Sequence, residues 1–103
     1  MATVVNVKEM ANFNSLGFAP QLAMMTSKAR LILLCLEAGQ GIPYHPDPAE
    51  VVFICMKGKG VFELGDEKIP FSDGTLIHAP AGTPRGISAE EQTMAVAVNL
   101  GMG

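Results

Sequence analysis

The stretch Gly39–Gly60, GQGIPYHPDPAEVVFICMKGKG, decides how the chain is read. It opens on a turn at Gly39 and Gly41, passes through polar residues punctuated by Pro43, Pro46 and Pro48, and ends in an apolar run closed by Gly58 and Gly60. Val51 to Met56 is rich in β-branched and aromatic residues and reads as a buried strand. Polar groups gathered at the mouth of such a strand are what a small binding pocket requires. A second stretch, Gly74–Gly86, GTLIHAPAGTPRG, has the same build: a strand, then Pro80 and Gly82, then a polar residue at Arg85.

Working outward, the pattern from Lys28 onward is strands and turns. Arg30–Leu36 is an apolar run of strand length, ended by a turn at Ala38–Gly41. Val61–Leu64 and Lys68–Phe71 flank Gly65-Asp66-Glu67, a hairpin signal, and Pro70 implies an edge or a bend. Thr75–Ala79, Gly86–Ser88 and Thr93–Leu100 read as three further strands. Residues 1–30 are less regular. Val4, Val5 and Val7 suggest a short strand, Glu9–Asn14 a helical turn or a loop, and Phe18–Met25, interrupted by Pro20, an edge strand. Short strands at near-regular spacing with Gly and Pro turns indicate an all-β sandwich or barrel. The tail Gly101–Gly103 is expected to fray.

At 103 residues the chain is one domain, with 1–30 as an N-terminal extension and edge strands and 31–100 as the barrel core. So short a chain gains from burying a face in an oligomer, and 49% hydrophobic against 17% charged residues favours a homodimer. A net charge of -3 with no basic cluster argues against nucleic acid. The most apolar run, Leu31–Leu36, is far short of the ~20 residues of a membrane helix, and no signal peptide opens the chain, so a cytoplasmic location is expected. Cys35 and Cys55 are then expected to be reduced, buried small hydrophobes. Ser72 lies in a turn and Ser88 borders one, with no base beside either, so no nucleophile is legible.

Taken together, the two glycine- and proline-framed stretches resemble the paired motifs of the cupin superfamily. The first cupin motif has a Gly, a His six residues on, a second His two later, a Glu four after that and a Gly seven further on. Gly39, His45 and Gly58 match, while Asp47 and Val51 stand at the second His and the Glu, with Glu50 one residue early. The second motif has Pro-x-Gly and a His three residues later. Pro80 and Gly82 match, and Arg85 holds the His position. The resemblance runs from Leu31 to Asn99. It implies an all-β, cupin-type jelly-roll β-barrel with six to eight strands per sheet pair, commonly a dimer.

In that family, three His and one Glu hold a divalent metal inside the barrel. Only His45 of those four remains here. Strand alternation puts Glu50 outward if Val51, Phe53 and Cys55 point inward. Arg85 carries a guanidinium that stays protonated and has no lone pair to donate. The binding residues expected from this are His45, Asp47, Arg85, His78 and Tyr44, with no metal and no other cofactor. The expected partner is a small polar or anionic molecule. Arg85 would fork onto a carboxylate or phosphate, and Val51, Phe53, Phe62 and Leu64 would form an apolar wall. A salt bridge from Arg85 to Asp47 in place of the lost metal is a structural alternative. His78, if it enters the barrel, would complete a two-His, one-carboxylate set with His45 and Asp47. That would suit a metal-dependent oxygenase or isomerase with an altered ligand set. A dimeric protein-interaction module is the remaining alternative.

Overall fold

The computed structural model describes residues 1–101. Nine strands follow a single helical turn, α1 (Val7–Met10). They are β1 (Gln21–Met25), β2 (Ala29–Leu36), β3 (Gly41–His45), β4 (Glu50–Lys57), β5 (Lys59–Leu64), β6 (Glu67–Ser72), β7 (Leu76–Ala79), β8 (Arg85–Ala89) and β9 (Thr93–Leu100). One sheet has the order β1-β2-β9-β4-β7 and the other β3-β8-β5-β6. All pairings are antiparallel. The molecule is therefore an all-β jelly roll in one domain, with nine strands among the described residues rather than six to eight. No helix in them is long and apolar enough to cross a membrane.

The two sheets close on each other through side chains that alternate along each strand. On β4, Val51, Phe53 and Cys55 are buried while Val52 and Ile54 are half-buried on the opposite face. Three phenylalanines bridge the sheets. Phe53 of β4 meets Phe62 of β5 and Phe71 of β6, with ring centroids 5.2 and 5.1 Å apart, both tilted as aromatic quadrupoles prefer. Leu34, Ile77, Ala79 and Ala95 complete this core. Cys35 and Cys55 are buried free thiols, as expected for small core hydrophobes.

Turn chemistry sets the register. Gly65 takes φ 57° and no non-glycine among the described residues is left-handed, so Gly65-Asp66 forms the tight two-residue turn that pairs Leu64 with Glu67. Gly58 alone separates β4 from β5. It sits at φ 129°, and a Cβ there would lie 2.6 Å from the Cα of Thr93. Only glycine fits that crossing. Pro70 lies on β6, an edge strand, as its missing N–H requires.

Two expectations change. Val4, Val5 and Val7 do not form a strand. Val4 and Val5 are exposed, and Val7 opens α1, where the Asn6 side chain accepts a hydrogen bond of 3.0 Å from the Lys8 N–H. Local capping by Asn outweighs the weak strand preference of valine. The proline-rich segment also holds a strand, β3, that the prolines concealed. Pro43 is tolerated because β3 is an edge strand, and its pairing with β8 is interrupted between Ile42 and His45. Phe18–Met25 does supply an edge strand, β1, beginning just after Pro20. The expected fraying at Met102 and Gly103 falls outside the described residues.

Candidate functional site

The two motif stretches meet at one end of the barrel. The Gly82 N–H donates to the Asp47 carbonyl at 3.0 Å, tying the Pro80–Pro84 loop to the Pro46–Pro48 segment. Directly beside this tie, His45 at the end of β3 pairs in register with Arg85 at the start of β8. Behind them lies a cavity of about 180 Å³. Its wall is apolar, with Ile32, Leu34, Ile42, Phe53, Phe62 and Ile87 among the contributors. The polar side chains on it are His45, Asp47, Arg85 and Asn99.

Arg85 is the most constrained of these. It is 5% exposed. Its Nε donates to the Thr83 carbonyl at 3.0 Å, and Nη2 donates to the Pro80 carbonyl at 2.9 Å and the Asp47 carbonyl at 3.4 Å. Nη1 is buried with no partner among the described residues. No carboxylate lies within 4.0 Å of the guanidinium among those residues. The expected salt bridge to Asp47 is therefore not formed; Arg85 takes the backbone carbonyl of Asp47 instead. The Asp47 carboxylate is turned to its own backbone, with Oδ1 accepting from the Ala49 N–H at 2.8 Å, a local turn typical of Asp between prolines.

His45 is held by its Nδ1, 2.7 Å from the Pro43 carbonyl. A carbonyl only accepts, so Nδ1 carries the hydrogen, and in the neutral ring Nε2 presents its lone pair. Nε2 stands 3.6 Å from Asp47 Oδ2, too long for a hydrogen bond.

The other expected residues lie elsewhere. His78 is on the outer face of β7, where strand alternation puts Ile77 and Ala79 inward. Its Nε2 is 2.7 Å from Glu50 Oε2, and both side chains are about half exposed. The two-His, one-carboxylate set is therefore not assembled. Tyr44, beside inward-facing His45, also points out, and its hydroxyl donates to the Gly65 carbonyl at 3.2 Å. Leu64 packs against the core rather than on the cavity wall, while Val51, Phe53 and Phe62 do line it. Asn99 is the polar lining residue that the sequence motifs did not point to. Its signal was available: in β9, inward Ala95 and Ala97 are followed two residues on by the strand's one carboxamide. Arg30, opposite Asn99 in register, is exposed on its strand.

A jelly roll with a polar mouth over an apolar-walled cavity defines a fold and a candidate site rather than any one chemistry. The chain belongs to the cupin family: the family model Cupin domain matches residues 32–101. It is similar in structure to TT1209 from Thermus thermophilus, with 23% identity, TM-score 0.87, and 94% of this chain and 95% of that one covered. An RmlC-like cupin protein from Desulfovibrio desulfuricans shares 24% identity at TM-score 0.87, with 97% of each chain covered. KdgF from Halomonas sp. shares 18% identity at TM-score 0.82 over 95% of this chain and 94% of that one. At these identities the likeness is one of fold. No curated protein matches the chain.

The donor set does not fit the divalent metal of the family. The four family positions hold His45, Asp47, Val51 and Arg85: two possible ligands, a side chain with no donor, and a fixed cation. No three His, Cys, Asp or Glu side chains gather among the described residues. A buried guanidinium at the fourth position would repel a divalent ion rather than ligate it.

Proposed function

We propose that the barrel binds a small anionic molecule, a carboxylate or phosphate, with Arg85 as its anchor. The observation that carries this reading is the buried guanidinium whose Nη1 has no partner, on the wall of a largely apolar cavity. A buried charge without a counter-charge is costly, and three backbone carbonyls offset only part of that cost. An anion at Nη1 supplies both the missing acceptors and the missing charge. Those carbonyls also fix the plane of the guanidinium in advance, so little side-chain entropy is lost on binding.

The test is calorimetric titration, with 1H–15N spectra, of the full chain against small monocarboxylates, inorganic phosphate and matched neutral amides. Anions are expected to bind and to shift the amides of Thr83–Ile87, and the neutral amides to leave them unmoved. Carboxylates and phosphate that leave both readouts flat would overturn the proposal.

A further inference from the structure

Resting on the reading of Arg85 above, we propose that the ligand is a zwitterion of the amino-acid type with an apolar side chain. The cavity holds two opposite charges that do not meet. Arg85 has no carboxylate within 4.0 Å, and Asp47 has only His45 at 3.6 Å among the described residues. Each is held in place by its own neighbours: Arg85 by the carbonyls of Thr83, Pro80 and Asp47, Asp47 by the Ala49 N–H. The usual outcome for an Arg and an Asp sharing a cavity is an ion pair, and here the geometry keeps them apart.

What each side lacks is complementary. At Arg85, Nη1 offers N–H groups with no acceptor. Across the register pair, two acceptors face each other over a gap: the Nε2 lone pair of His45, fixed by the Nδ1 contact to Pro43, and Oδ2 of Asp47. An ammonium group, with three N–H donors, seated beside the pair can donate to both acceptors at once. A plain carboxylate satisfies Arg85 but leaves both acceptors facing each other and sets a second negative charge beside Asp47. A plain amine satisfies the acceptors but faces the guanidinium. Because His45 and Arg85 are cross-strand partners, the acceptors and the guanidinium flank the same mouth, and a ligand that meets both carries both charges. The cavity of about 180 Å³, walled by Ile42, Phe53, Phe62 and Ile87, gives an apolar side chain of the ligand a place to lie.

The experiment is calorimetric titration of the full chain with matched sets in which one group changes at a time. Valine is compared with 3-methylbutanoate, which lacks the amino group, with 2-methylpropylamine, which lacks the carboxylate, and with 2-hydroxy-3-methylbutanoate. Alanine and leucine are run in parallel, so the result does not hinge on one side chain. At least one amino acid is expected to bind tenfold or more tighter than its deaminated acid, and the amine not to bind. Asp47→Asn keeps the turn acceptor but loses the charge. It should bring the amino acid down to the affinity of the deaminated acid. Deaminated or hydroxy acids that match the amino acids in the wild-type protein would overturn the zwitterion and leave the Arg85 anion site standing. If no member of the sets binds and phosphate is equally silent, both readings fall.

Discussion

The molecule carries two histidine–carboxylate pairs, and they differ in which side of the barrel they face. His78 and Glu50 meet at 2.7 Å on the outer surface, where each satisfies the other in solvent. His45 and Asp47 stand 3.6 Å apart at the mouth of the cavity, beside a buried guanidinium with an unpaired donor. Each pair joins an imidazole to a carboxylate, so composition does not separate a site from a surface pair. Strand parity separates them, because a single step along β4 or β7 exchanges cavity for solvent.

The largest effect that could break this contrast is on stability. Phe53→Ala removes the ring that joins Phe62 and Phe71 across the sheets, and it is expected to cost about 3–5 kcal/mol. Its neighbour Ile54, on the half-buried outer face, should cost less than half as much when changed to Ala. Urea denaturation of both variants measures the difference. Equal losses would mean that the outer face of the sheet is as firmly covered as the inner one.

Next in size is the ligand contact itself. Arg85→Met keeps much of the side chain's bulk and removes the charge. Carboxylate affinity is expected to fall about a hundredfold, on the order of 2–3 kcal/mol for a charge-assisted pair. Arg85→Lys should recover little of it, since an ammonium does not reproduce the fixed fork. A carboxylate that binds Arg85→Met as well as it binds the wild-type chain would move the site away from the mouth.

These two residues also mark how far the sequence could be read. The fold was legible because its determinants are local. Alternation over Val51–Cys55 and the Gly65-Asp66 turn each act within a few residues, and together they leave few ways to arrange the strands. Arg85, His45 and Asp47 were legible as neighbours through the motif spacing. Their bonding was not. Whether Arg85 reaches the carboxylate or the carbonyl of Asp47 turns on an ångström-scale choice that the Ala49 N–H makes by occupying Oδ1. His78 was misplaced for a different reason: its inward or outward face depends on the register of β7 against β4, which Ile77 opposite Phe53 settles. Tyr44 turned out likewise because β3 itself was hidden by its prolines. Asn99 was overlooked because a carboxamide in an apolar run carries no motif.

The inner face makes a third, smaller prediction through pH. Cys55 is fully buried beside Phe53's strand neighbours, and burial pushes its thiol up, the Asp73 carboxylate adding to this and a backbone hydrogen bond at Lys57 opposing it. The fold thus favours the protonated thiol. Below about pH 8.5 both states hold the proton and the group contributes no pH dependence. Above it the unfolded chain releases the proton first, so stability falls as pH rises, by at most about 1.4 kcal/mol per unit. Cys55→Ala should be less stable at pH 7 but lose less between about pH 8.5 and 10 than the parent. Parallel alkaline slopes from denaturant titrations of the two proteins would exclude Cys55 as the cause.

The smallest effect is the one that sharpens the comparison most. His78 and Glu50 are 55% and 44% exposed, so their pair is screened by water and salt. His78→Ala is expected to cost less than about 1 kcal/mol, and less still at high ionic strength. It should leave the affinity of every ligand that uses Arg85 unchanged, because β7 turns the ring away from the cavity. Glu50→Gln should behave in the same way. A change at Asp47 is the counterpart: nearly silent in a denaturation curve if Asn keeps the Ala49 contact, yet decisive for which ligand binds. If instead His78→Ala weakened binding by more than a few fold, the outer pair would have to be coupled to the mouth through β4. The division between a self-satisfied surface pair and an unsatisfied inner one would then no longer hold.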